Sequence, residues 1–274
     1  MKHGVRIVLL AGLTSLGCGA EPPPEEGGVA AAEGGAVVAA AGGGLGAPGA
    51  FDAQYIDCDE FAGVGLAPIA NVDPRVPDDS TVIEAVPGSA IVVAQAATCE
   101  QICVGGEFCR EATFAQFGVG VAPPGGAPGS NFYQLVFVTD HPILAARLRL
   151  LGVNAVFTPK IEYEITPESE LFVSVPRPKS FAFELSGPIT LPDPNAPPNP
   201  VSTFNYWYGT DAFGNVLQQN VVTGIRFGEG SGVVLTAIGP ELQAVLGGTT
   251  LTFPFFAAPE VFDRADVSVQ TNVF

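Results

Sequence analysis

Few residues in this chain can do chemistry near neutral pH, and the scarcity is informative. Of two histidines, His3 lies in the amino-terminal leader, which leaves His141 as the one imidazole for acid–base work. It adjoins Asp140 where a strand runs into a helix, a place where sites often sit. A hydrolase built on His141 and Asp140 would also want a nucleophile in a strained turn. The nearest, Ser231 in "GEGSGV", misses the G-x-S-x-G spacing by one position. Metal chemistry would fall to carboxylates. Asp57 and Asp59 in "DCDE", with Asp73, Asp78 and Asp79 in "NVDPRVPDD", offer hard oxygens for calcium. Neither stretch has the D-x-D-x-D-G loop spacing, and Arg75 interrupts the second, so both read as solvated acidic loops, with no cofactor beyond that calcium option.

Aromatic residues point to binding instead. "TFNYWYGTDAFGN" (203–215) gathers Phe204, Tyr206, Trp207, Tyr208 and Phe213, including the single tryptophan. On a strand, Phe204, Tyr206 and Tyr208 share one face and Trp207 takes the other. One face belongs to the core; the other offers Tyr206, Trp207 and Tyr208 as candidates to meet a sugar ring or a protein. The proline-stiffened loop "LPDPNAPPNP" beside it is placed to frame that surface.

Setting Cys18 aside, Cys58, Cys99, Cys103 and Cys109 make an even set, the arithmetic of two disulfides in an exported protein. Three connectivities exist. A Cys99–Cys109 bridge closing the loop "CEQICVGGEFC", with Cys103 reaching back to Cys58, is preferred, and the other two stay open. The spacing lacks the paired C-x2-C knuckles of a structural zinc site, and no C-x-x-C redox pair is present.

The amino terminus carries an address. Lys2 and Arg6 precede the short apolar run "IVLLAGL", which ends in "SLGC". Ending in Gly17-Cys18, residues 1–17 resemble a bacterial lipoprotein signal, although Ser15 and Leu16 stand in swapped order to that pattern. The resemblance implies that Cys18 becomes a lipid-modified first residue and that the protein is exported to the cell envelope, anchored at the outer membrane. Residues 18–50, rich in Gly, Ala, Pro and Glu, read as a disordered tether. The formal charge of −17 argues against nucleic acid as a partner.

These residues must be positioned by strands. The 34 glycines and 25 prolines imply many turns, and short Val/Ile/Phe/Thr-rich runs recur from residue 80 to the end. Phe181, Phe183 and Leu185 alternate as on a half-buried strand. A helix is expected from Pro142 to Leu151, capped near Asp140 and stopped by Gly152, and a second within 239–248. The strand–helix–strand stretch around the first reads as a helix decorating a sandwich rather than a parallel crossover. Residues 51–274 are therefore expected to be mainly β, an antiparallel sandwich or open barrel with about two short helices, stapled by disulfides, with a candidate subdivision near 122–131. The function expected from all this is a non-catalytic, lipid-anchored module for protein or carbohydrate. The alternative is a secreted hydrolase or metal-dependent enzyme using His141.

Overall fold

A long strand, β1 (Phe51–Pro68), begins the ordered architecture. The computed structural model describes residues 50–123, 129–210 and 214–271, so Cys18, the signal segment and all of the tether but Ala50 lie outside the described residues. After β1 come a one-turn helix α1 (Ile69–Val72) and two short strands, β2 (Thr81–Val82) and β3 (Glu84–Val86). The hairpin β4 (Ser89–Val104) and β5 (Phe108–Ala122) follows, then β6 (Ser130–Thr139), helix α2 (Pro142–Leu150) and β7 (Ala155–Phe157). An antiparallel run of β8 (Glu162–Ile165), β9 (Glu170–Val175) and β10 (Phe183–Pro188) leads to the pair β11 (Ser202–Thr210) and β12 (Gly214–Thr223). The chain ends with β13 (Arg226–Phe227), β14 (Val234–Ala237), helix α3 (Pro240–Leu246), β15 (Thr250–Thr252) and β16 (Phe256–Thr271).

Seven of these strands close on themselves in the order β5-β4-β1-β16-β12-β11-β6, with β6 pairing back onto β5. Closure removes the sheet edges that an open sandwich would expose. The mainly β expectation therefore takes the form of a closed barrel with added strands and three short helices. β5 and β6, on either side of segment 122–131, are hydrogen-bonded neighbours in the wall.

The unit β6–α2–β7 is a true parallel crossover, with Phe137 opposite Ala155 and Thr139 opposite Phe157. This corrects the expectation of a merely decorating helix. β6 also runs parallel to β11, which is reached only after β8, β9 and β10 of a second sheet.

That second sheet, ordered β15-β14-β10-β9-β8, covers the outside of the barrel. Leu171, Val173, Val175, Phe183, Leu185 and Leu235 from it pack with outward-facing Phe61, Ala96, Phe117, Val119 and Trp207. α3 adds Leu242 and Val245, and Gly247 in the left-handed region ends it, as a glycine there can without strain.

Inside the barrel, one end is filled with apolar side chains. Phe114 stacks on Phe137 with ring centroids 5.8 Å apart, and Tyr55 lies 5.2 Å from Phe114. Leu144, Leu148 and Leu151, on and just after α2, pack into the same cluster, so the crossover helix plugs that end.

The disulfides follow from strand register. Pairing of β1 with β4 sets Cys58 directly opposite Cys99, and pairing of β4 with β5 sets Cys103 opposite Cys109. The bridges are Cys58–Cys99 and Cys103–Cys109. This corrects the preferred Cys99–Cys109 and Cys58–Cys103 pairing, which assumed that the loop began at Cys99. β4 runs on to Val104, so only the short bridge lies at the hairpin end.

Candidate active site in the barrel interior

Alternation along the barrel strands decides which side chains point inward. On β1, Tyr55, Glu60 and Ala62 are inward. Between Tyr55 and Cys58, Asp57 has a positive φ of 48° and takes no partner in either ladder, and Tyr55 and Cys58 both join the interior cluster. Following the register around the wall, each of the seven strands contributes a polar inward residue. These are Glu60 (β1), Gln95 (β4), Gln116 (β5), Gln134 (β6), Tyr206 (β11), Gln218 (β12) and Glu260 (β16). All seven are buried. Such groups are costly to bury, so a complete belt of them is the most informative feature of the molecule.

The belt is wired. The Gln116 amide donates to Gln95 Oε1 at 2.7 Å. Gln95 Nε2 donates to Glu60 Oε1 at 3.1 Å and to the Tyr206 hydroxyl at 3.2 Å. Because Tyr206 accepts from Gln95, its own proton remains to be donated. A second chain runs from the Tyr208 hydroxyl to Gln218 Oε1 at 3.2 Å, and from Gln218 Nε2 to Asn220 Oδ1 at 3.1 Å.

At the head of the first chain stand two carboxyls. Glu60 and Glu260 are direct cross-strand partners in the β1–β16 ladder. Directly opposed side chains on one face lie about 5 Å apart at Cβ, and two like charges there cannot both ionise readily. Burial pushes Glu60 up to about 8, against the opposing effect of the Gln95 hydrogen bond. Burial, and then the neighbouring Glu60 charge, hold Glu260 well above the usual carboxylate range. Burial likewise raises the phenols of Tyr206 and Tyr208, so they stay neutral donors at physiological pH. The interior thus joins a carboxyl poised to lose a proton, a second carboxyl that retains one, and a neutral phenol.

The described cations lie elsewhere. No arginine or lysine side chain is buried among the described residues; Lys160 and Lys179 are exposed. An amine that condenses with a carbonyl must be desolvated or set beside another cation, and neither described lysine is buried.

His141 is 1% exposed and serves as a helix cap. Its Nδ1 accepts from the Leu144 amide at 3.1 Å, and its Nε2 lies 3.1 Å from the Phe108 carbonyl. It therefore ties the α2 plug to the tip of the β4–β5 hairpin, and burial lowers its pKa. Asp140 accepts from the Thr113 amide at 2.8 Å. Both groups are engaged in backbone anchoring, which corrects the expectation of a His141-based site.

The aromatic candidates are buried as well. Tyr206 and Tyr208 point into the barrel, and Trp207 packs under the second sheet, its indole donating to Asn131 Oδ1 at 2.9 Å. Of the three, Tyr206 joins the belt; none forms an exposed binding face. Phe213 lies outside the described residues. Among the described residues Asp57, Asp59, Asp73, Asp78 and Asp79 do not gather with others into a group of three that could hold a metal ion. Asp79 instead accepts from the Asn215 amide at 2.7 Å.

Sequence reasoning passed over the belt. Its trace was present in "VVAQAA" and "TFAQFG", where one glutamine interrupts an apolar strand on the face that should be buried.

No family model matches the chain, and no curated protein matches it. Solved structures do. Acetoacetate decarboxylase from Legionella pneumophila superposes with a TM-score of 0.50 at 12% identity, over 80% of this chain and 85% of that one. A second acetoacetate decarboxylase superposes with a TM-score of 0.52 at 10% identity, over 80% and 88%. At such identities the likeness is one of fold. The fold is nevertheless one that carries enzymes, and the aromatic face invoked for binding is buried. The expectation of a non-catalytic protein- or carbohydrate-binding module, more plausibly not an enzyme, is corrected on both grounds.

Proposed function

We propose that the protein is an enzyme that moves a proton on carbon next to the carbonyl of a small, uncharged ketone, with Glu60 as base and Glu260 and Tyr206 as hydrogen-bond donors. The observation that carries this reading is the buried cross-strand pair Glu60–Glu260, wired through Gln95 to Tyr206. A carboxylate base beside a carboxylic acid and a phenol is a constellation suited to enolisation.

Gln95 donates to Glu60 and so favours ionisation of that member of the pair. Ionised Glu60 removes the α proton, and the C–H electron pair becomes the enol double bond. The carbonyl π pair moves onto oxygen, where Tyr206 and protonated Glu260 stabilise the developing charge, Glu260 by giving up its proton. Return of a proton from Glu60 to carbon, and of the oxygen's proton to Glu260, completes an exchange or an isomerisation with both carboxyls restored. Acetoacetate, the substrate in the name of the similar structures, is a keto acid and shares the ketone group. A carboxylate substrate would meet an interior with no buried cation among the described residues, which favours an uncharged one.

The test is hydrogen–deuterium exchange at the α carbons of cyclohexanone in D2O, followed by NMR. Wild type is expected to accelerate exchange, with a rate that climbs as Glu60 ionises towards pH 8. Glu60→Gln and Glu260→Gln should each lose at least about 100-fold. Wild-type rates equal to those of Glu60→Gln would defeat the reading.

The export reading is proposed alongside: a lipid anchor at Cys18 holding the barrel at the cell envelope. Two disulfides support it, since such bridges persist in oxidising compartments.

A further inference from the structure

Within the belt, Gln134 stands apart from the hydrogen-bonded chains. Gln134 is 4% exposed, and both its Nε2 and its Oε1 are buried without a hydrogen-bond partner. An amide left in that state forfeits the full desolvation cost of a donor and an acceptor together. Its placement is nevertheless specific. Gln134 lies opposite Gly118 in the β5–β6 ladder, where the register shifts at a bulge. A Cβ at residue 118 would come within 2.7 Å of Gln134 Nε2 and 2.9 Å of its Oε1, so the amide occupies the space that a side chain at 118 would fill. Two residues before Gly118 on the same inward face stands Gln116, 1% exposed, whose Nε2 is used by Gln95 and whose Oε1 is unpartnered. Two neighbouring strands thus present one unpartnered NH2 group and two unpartnered carbonyl oxygens into the interior, continuous with the Glu60 chain.

We infer that Gln134 is a specificity-determining residue that reads an amide group on the ligand. Its planar edge offers a donor beside an acceptor and pairs with the complementary edge of a lactam or primary carboxamide, through N–H to Gln134 Oε1 and C=O from Gln134 Nε2. Gln116 Oε1 takes a second N–H where the ligand supplies one. A ligand with no amide leaves these atoms unpaired, so the site holds such an analogue less tightly. The inference deepens the proposed enolisation and rests on the barrel interior being the active site. It makes a ketone that also bears an amide a better substrate than a plain ketone, with the reacting carbon towards Glu60 and the amide towards Gln134.

The experiment compares two six-membered rings of matched shape, 2-piperidone and cyclohexanone, as ligands of the full chain by calorimetry. Wild type should bind the lactam at least about tenfold tighter. Gln134→Leu should bring the two within about twofold, and Glu60→Gln should lose cyclohexanone exchange while keeping the lactam preference. N-methyl-2-piperidone, which lacks the donor, should fall to the level of cyclohexanone on wild type, an outcome that needs no variant to fold. Gln134→Leu should also melt at a higher temperature, since it removes an unpaired buried amide. Equal wild-type affinity for 2-piperidone and cyclohexanone would overturn the inference, as would a lactam preference unchanged in Gln134→Leu. Loss of exchange in every protein with the lactam preference intact would instead fail the enolisation reading alone.

Discussion

Replacing Glu60 with Gln isolates the energetic signature of the carboxyl pair. The substitution keeps shape and keeps an oxygen to accept from Gln95 Nε2, now 3.1 Å from Glu60 Oε1, but removes the ionisation. In the native chain burial holds Glu60 at about 8, against an ordinary value of 4.5. Between these values the native protein keeps a proton that the unfolded chain has released. Stability from this group is therefore greatest below pH 4.5, falls as pH rises towards 8, and changes no further beyond it. At about 1.4 kcal/mol per pH unit the ceiling on the loss is about 5 kcal/mol, and half of that would still be a large share of a typical domain's stability. His141, lowered by burial, works with the opposite sign, gaining stability as pH rises through its native value. Asp59 and Asp140, both raised by burial, add to the slope in the Glu60 direction. These contributions cancel in the difference between variant and wild type. Urea unfolding under non-reducing conditions at pH 5 to 9, read by fluorescence of buried Trp207, gives that difference. Glu60→Gln should match wild type near pH 5 and exceed it by about 2 kcal/mol or more at pH 8.5. A difference independent of pH would refute the argument that Glu60 is held protonated by burial.

His141→Ala should cost about 1–2 kcal/mol in urea unfolding through loss of the helix cap and of the Phe108 contact, with cyclohexanone exchange intact in the folded fraction. Trp207→Ala should cost about 3–5 kcal/mol, read as a lowered unfolding midpoint, because the indole fills the layer between barrel and covering sheet.

Much of the scaffold was legible from local pattern. The alternation of Phe181, Phe183 and Leu185, the Pro142 start of α2 and the Gly247 stop of α3 each follow from short-range sterics and hydrogen bonding, which a sequence displays directly. Closure of the barrel was not legible, because it depends on β6 meeting β11 and β5 at once, a long-range choice that no local segment encodes. The disulfide pairing failed for a related reason. Loop closure alone favoured Cys99 with Cys109, whereas the extension of β4 to Val104 set the register that decides. The candidate site suffered most. Glu60 reads locally as one more acid in "DCDE", and only the pairing of β1 with β16 turns it inward and sets it against a glutamate 200 positions away. Tyr206 was found for the wrong property, its ring, when its hydroxyl is what the interior uses.

The two ends of the barrel set the belt in contrast. Around Phe114, Phe137, Leu144 and Leu148 the interior is closed by apolar packing, the arrangement that stability alone favours. A few residues along the same strands, Gln95 follows the small Ala97 and Gln116 follows Phe114, and the filling changes from carbon to amide and carboxyl. Leucine or methionine at those positions would fill the volume without a desolvation cost, and buried polar networks replaced by well-packed apolar groups are often neutral or stabilising. The substitution would be a small step for a sequence already rich in aliphatic residues, and α2 shows that this barrel can be packed that way. The retained cost is concentrated where two carboxyls face one another and an amide stands without a partner, which is where a ligand would return it.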